Sequence, residues 1–175
     1  MSGRTMNPKS SSMWACVAIA ISLHAALPVA AQQGTHSIKA MTPETALAAA
    51  RAALEQCRKQ GHQVSVAVVD RSGLLQALLR DRFAGAHTVD VATNKAWTAA
   101  SFKIATGALG SETETGKPMS GIRFQPRVAA IGGGQVIESG GSLLGGIGVS
   151  GAPGGDADET CALAGIRAIA DALDF

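Results

Sequence analysis

Apolar residues recur along this 175-residue chain with two periods, and the alternation between them outlines a fold. Ala46, Leu47, Ala50, Ala53, Leu54 and Cys57 fall at helical spacing and form one stripe. Thr42 followed by Pro43 suits an N-cap and first helical position, and Gly61 supplies the stop. VSVAVVD, residues 64–70, is a short β-branched run, and LLQALLR, 74–80, follows after DRSG. A link this tight predicts antiparallel neighbours, with Gly73 free to adopt positive φ and Asp70 capping the turn.

Helical spacing returns over residues 87–102, HTVDVATNKAWTAASF, where Val91, Ala92, Ala96, Ala99 and Ala100 are small enough for close packing. Trp97 on that helix suits a core or a subunit interface. A short helix is expected over 104–111, then a long surface loop over 112–126. RVAAIGGGQVIES predicts a second hairpin turning at Gly132–Gly134, and SLLGGIGVSG a third strand of that group. Asp156 and Glu159 fit a capping box for a last helix bearing Ala162, Leu163, Ile166, Ile169, Ala170 and Leu173. The resulting order is α-β-β-α-α-β-β-β-α. It predicts an α+β layer domain, a five-stranded antiparallel sheet flanked by helices.

The first 31 residues have a different character. Arg4 and Lys9 precede an apolar stretch, Met13 to Leu27, and Val29 and Ala31 supply small residues before a cut after Ala31. This is the pattern of a cleaved secretory signal, and at about 15 residues the stretch is short of the roughly 20 that span a bilayer. The expectation is a periplasmic or secreted protein with no stable membrane insertion: residues 32–40 a flexible leader, 41–175 a single domain. Removing the signal takes two of the 15 basic side chains and none of the 13 acidic ones, so the domain is neutral. With no Tyr and few other aromatics it has neither the basic footprint nor the stacking platform of a nucleic-acid binder.

Gly146–Gly151, GIGVSG, satisfies the letter of the dinucleotide fingerprint G-x-G-x-x-G. No second strand follows it to carry a ribose-binding carboxylate, and no P-loop is present, so no nucleotide is expected. Glycines at 145, 146 and 148 within a strand instead mark a bulge or a close approach of backbone or ligand. Export would leave Cys57 and Cys161 where a disulfide persists, and they can bridge if the first and last helices pack side by side. Zinc-ligand spacing and G-x-S-x-G are both absent.

VSVAVVDRSG, the NKAWTAASF helix, IGGGQVIESGG and LLGGIGVSGAPGGDADE with its helical end resemble the GlcG/HbpS family of haem-binding or haem-degrading domains, from about Met41 to Ala172. A related domain ends the PduO-type cobalamin adenosyltransferases. The resemblance implies a profilin-like fold and a homo-oligomer, often an octamer. It also implies haem as ligand, with storage of iron, haem degradation or signalling to a sensor kinase in some members. Other members belong to operons for glycolate or alcohol oxidation. Three function classes follow: a haem- or iron-handling binding protein, an enzyme acting on haem or on a small hydroxy acid or aldehyde, and an oligomeric signalling partner.

Haem iron needs an axial donor, apolar walls and cations for the propionates. His36, His62 and His87 remain after signal removal. His36 lies in the leader and reads as a solvated side chain; His62, at a helix-to-strand corner, is a candidate iron ligand or a surface or capping residue. His87 opens the second helix near Arg80 and Arg82 and is the first candidate for the iron, with those arginines for the carboxylates of haem or of a small acid. Met119 in the long loop is an alternative iron ligand. Lys95 is a candidate carboxylate partner or a snorkelling surface residue, and Gly146 and Gly148 are architectural or pocket-lining.

Overall fold

The computed structural model describes residues 34–173. The signal sequence expected over residues 1–31 lies outside them. Helix α1 (Pro43–Lys59) opens as its sequence dictates: Thr42 Oγ1 accepts from the Thr45 N–H at 3.2 Å, and Gly61 leaves the helix at φ +81°. Strands β1 (Ser65–Asp70) and β2 (Leu75–Arg80) form the expected antiparallel hairpin. Asp70 Oδ1 accepts from the N–H groups of Ser72 and Leu74 and so caps the turn. Helices α2 (Thr88–Phe102) and α3 (Thr106–Glu112) follow, and the long loop carries one 3-10 turn, Ser120–Phe124. Strands β3 (Gly134–Ser139) and β4 (Ser142–Ser150) precede α4 (Gly155–Arg167) and the short α5 (Ala170–Leu173).

Among the described residues the sheet has four strands in the order β2-β1-β4-β3, all antiparallel, where five were expected. The missing strand is RVAAI. Thr98 Oγ1 of α2 donates to Arg127 O and accepts from Ala129 N, tying this segment to the helix and away from any strand ladder. Gly132 then packs against Gly155, so the glycine run is a crossing point and not a hairpin turn. The real turn is Gly140–Gly141, with φ +54° and +73°; positive φ at both central residues is what a two-residue hairpin demands. The last helix also starts differently. Gly154 is its N-cap, with no side-chain cap, and Asp156 forms no capping box.

Alternation along β1 sends Val66 and Val68, with Val64 just before the strand, to one face and Ala67 and Val69 to the other. The first face meets α1 and α4, which Cys57 and Cys161 join by a disulfide with Cα atoms 5.5 Å apart. The second face meets α2 through Ala92, Ala96 and Ala100, at successive turns of that helix. Opposite them, Gly146 and Gly148 have no side chains. A Cβ on Gly148 would lie 2.1 Å from Ala92 O and 2.5 Å from Ala96 N; one on Gly146 would lie 2.5 Å from Ala96 O. These glycines set how closely α2 lies on the sheet. They are covered by helix backbone, which excludes them from contact with a ligand.

From Ser37 onward the chain forms one compact unit. Arg58 and Asp81 clamp α1 to the loop that leads into α2: Nε and Nη2 donate to the two carboxylate oxygens at 2.7 and 2.8 Å. Asp81 is 1 % exposed. The guanidinium's hydrogen bonds, with help from the Arg82 N–H, hold its carboxyl at about 2 against the burial that would raise it.

Candidate functional site

A cleft of about 750 Å³ opens at one end of the sheet, within the ~300–1,000 Å³ typical of small-molecule sites. Four loop segments, one of them Ile131–Gly132, and the starts of helices α2 and α4 build it. The corner after α1 brings His62 and Gln63, and the loop before α2 brings Phe83, Gly85 and His87. The first turns of α2 add Thr88, Val91 and Lys95, and the Ser150–Gly155 loop closes the far side with Asp158 beneath it.

Each element is fixed by local chemistry. His87 occupies the N-cap position of α2 with its imidazole against Gly85, where a Cβ would lie 2.7 Å from His87 Cε1. Its ring is exposed and makes no capping bond. Thr88 anchors the helix start, since its hydroxyl donates to Gly85 O at 2.6 Å and shares a 2.7 Å hydrogen bond with Ser65 of β1. Phe83 and Ile131 line the mouth with 79 % and 54 % of their surface exposed, an apolar rim with no cover. Gly151 turns out of β4 at φ +130°, packed so closely on Gln63 and Val64 that a Cβ would meet Gln63 O at 2.6 Å. Gln63 Oε1 is a buried acceptor without a partner.

Lys95 is not a snorkelling surface lysine. It is 2 % exposed, and its Nζ donates to Asp158 Oδ2 at 2.8 Å and to Val149 O at 2.9 Å. Asp158 Oδ1 in turn accepts from the Ala152 N–H at 3.0 Å. The pair therefore ties α2, the end of β4 and the cleft loop together, and commits the lysine's charge to a protein carboxylate. Losing either partner would strand a buried charge, which is strongly destabilising. The sequence reading missed Asp158, which lies 63 positions from Lys95.

The other candidates separate. His62 and His87 line the cleft together; His36 and Met119 are exposed and do not line it. Arg80 turns its guanidinium to Ala84 O, shaping the loop before His87 from behind, and neither it nor Arg82 lines the cleft. Trp97 is half-buried over the Gly73 turn, with the Arg127 guanidinium 4.7 Å from its ring centroid. Among the described residues no group of three His, Cys, Asp or Glu side chains is placed to hold a metal ion, and no helix is long and apolar enough to cross a membrane.

Comparison with known proteins adds to this geometry. A family model described as haem degrading protein HbpS-like matches residues 41–167. A double mutant of Streptomyces reticuli HbpS is 40 % identical, with a TM-score of 0.73 over 82 % of this chain and 97 % of its own. The crystal structure of a PduOC:heme complex is 31 % identical, with a TM-score of 0.71 over 75 % and 96 %. The corrinoid adenosyltransferase PduO of Salmonella typhimurium is 34 % identical over 103 residues, 58 % of this chain. The chain spans about a third of that relative's length, 31 %.

Proposed function

We propose, from the premise that the chain belongs to the HbpS-like family, that it is a haem-handling protein whose ligand occupies the cleft between the His62 corner and the Ser150–Gly155 loop. The observation that carries this reading is the placement of two imidazoles, His62 and His87, in one cleft with an exposed apolar rim. An imidazole is the usual donor to haem iron, and Phe83, Val91 and Ile131 supply apolar walls that a flat macrocycle would cover. The glycines of the far loop present backbone without side chains, so a planar group can approach closely.

His87 is the better iron ligand of the two. It is exposed at the start of a helix whose first turn is pinned by Thr88, so its position on the chain is fixed while its imidazole is not used by the protein. His62 then faces the same space as a second donor or a gatekeeper. When bound, haem would supply the one-electron and oxygen chemistry on which its degradation depends. The residues here would bind it, orient it and exclude water. The Cys57–Cys161 disulfide supports residence in an oxidising compartment, the periplasm or the exterior.

A second reading, a small carboxylic acid as ligand, draws on the amino end of α4, which reaches the cleft at Gly154 and Gly155 with no side-chain cap. One experiment separates the two. The mature protein is titrated with hemin, with iron-free protoporphyrin and with glycolate, following tryptophan fluorescence. Saturable hemin binding well tighter than protoporphyrin supports the haem reading. Saturation by glycolate alone would replace it with the second.

A further inference from the structure

The cleft is well supplied with imidazole and apolar surface but poor in free positive charge. Lys95 is committed to Asp158, and Arg80 and Arg82 do not line it. A second hollow, of about 350 Å³, adjoins it, and Val91 and Ile131 line both. Its floor is apolar, formed by Val128, Ala129 and Ala130, and its polar groups are Asn94 and Arg123.

Two features make this hollow more than a dent in the surface. His87, Val91 and Asn94 are spaced i, i+4 and i+7 from the N-cap of α2, so they share a face. The trough therefore runs from the imidazole over Val91 to Asn94, about 10 Å at the helical rise. Arg123 is also held in orientation. Its Nε donates to Thr113 O at 2.6 Å and to Thr113 Oγ1 at 2.9 Å, and Nη2 donates to Gly110 O. Those three acceptors are neutral, and among the described residues no carboxylate pairs with this guanidinium. Arg58, Lys95 and Lys117 each have one. Arg123 is thus a positioned cation with its charge uncompensated, at the end of an apolar trough that begins at a candidate iron ligand.

We infer that Arg123, assisted by the Asn94 amide, is the carboxylate subsite of the cleft. It receives the acid groups of a flat ligand whose apolar body lies over Val91 and Ile131, and in the haem reading, on which this rests, those groups are the propionates. A guanidinium suits the task because it pairs with a carboxylate through more than one N–H at once.

The test is a cycle that changes protein and ligand separately. Hemin and hemin dimethyl ester, which lacks the free acids, are titrated against the wild-type mature protein, Arg123→Met and Arg123→Gln. The glutamine variant keeps an N–H donor for Thr113 at the position of Nε, so it guards against local unfolding. The expected result is at least about tenfold weaker hemin binding in both variants, as for loss of a charge-assisted hydrogen bond. Affinity for the dimethyl ester should change by less than about twofold. Hemin affinity unchanged in both variants, or equal loss for both ligands, overturns the subsite while leaving the haem reading intact. Absence of saturable hemin binding by the wild-type protein overturns that reading, and the subsite with it.

Discussion

Gly148→Ala changes one hydrogen into a methyl group and tests the contact on which the cleft is built. The new Cβ would sit 2.1 Å from Ala92 O and 2.5 Å from Ala96 N, both backbone atoms of α2. Comfortable carbon contacts lie near 3.5 Å, so helix and strand would have to separate locally by roughly 1 Å or more. No side chain can swing aside to absorb this. Overpacking of this kind costs about 1–3 kcal/mol. Because α2 also carries His87, Val91 and Lys95, the shift should reach the cleft as well as the stability. The assay is urea unfolding of the mature protein beside Gly121→Ala, a substitution at an exposed glycine with nothing within 4 Å of the new methyl. Gly148→Ala should lower the midpoint markedly, with Gly121→Ala close to wild type. Equal midpoints for Gly148→Ala and wild type would refute the direct seating of α2 on the glycine face of β4.

Two further outcomes follow from the clamps around the cleft. The Asp81 carboxyl titrates at about 2 against an ordinary 3.8, so it binds protons less readily folded than unfolded. Its contribution is complete above about 4 and disappears as pH falls towards 2. Urea midpoints at pH 6 and pH 3 should therefore differ more for wild type than for Asp81→Asn, and an equal difference would remove the Arg58 clamp from the account. The Cys57–Cys161 bridge closes a loop spanning 104 positions, so its reduction should cost about 2–5 kcal/mol. A melting temperature unaffected by a phosphine reductant, with thiol titration confirming full reduction, would contradict this.

The parts of the fold that were legible in the sequence depend on neighbours along the chain. Thr42 caps its own helix, Asp70 its own turn, and the DRSG link leaves β1 and β2 no choice but to pair. What was not legible depends on residues brought together from afar. RVAAI has a reasonable strand composition, yet Thr98, about 30 positions earlier, satisfies its backbone instead. Asp156 offers a capping box, but the helix begins at Gly155 and it is Asp158 that is used, by Lys95 and by the cleft loop.

The candidate site shows the same division. His62 and His87 were suspect because imidazoles are few, and both line the cleft. Arg80 and Arg82 were paired with His87 on proximity in sequence, but neither lines the cleft, and Arg80 spends its guanidinium on Ala84 O. Arg123, in a loop whose pattern has no clear period, gave no signal at all. Its significance is visible only once Thr113 and Gly110 are seen to orient it. The GIGVSG motif did carry information, though not about nucleotides. Alternate glycines on a strand reported a helix lying against it, and only the topology says which helix.

The most direct test of the central claim is a hemin difference-absorbance titration of the mature protein beside His87→Ala and His62→Ala. The wild type should give a saturable Soret shift at one haem per chain. Loss of His87 should abolish or displace that shift, and loss of His62 should weaken it at most. A featureless titration that is the same for all three proteins would contradict haem binding in this cleft.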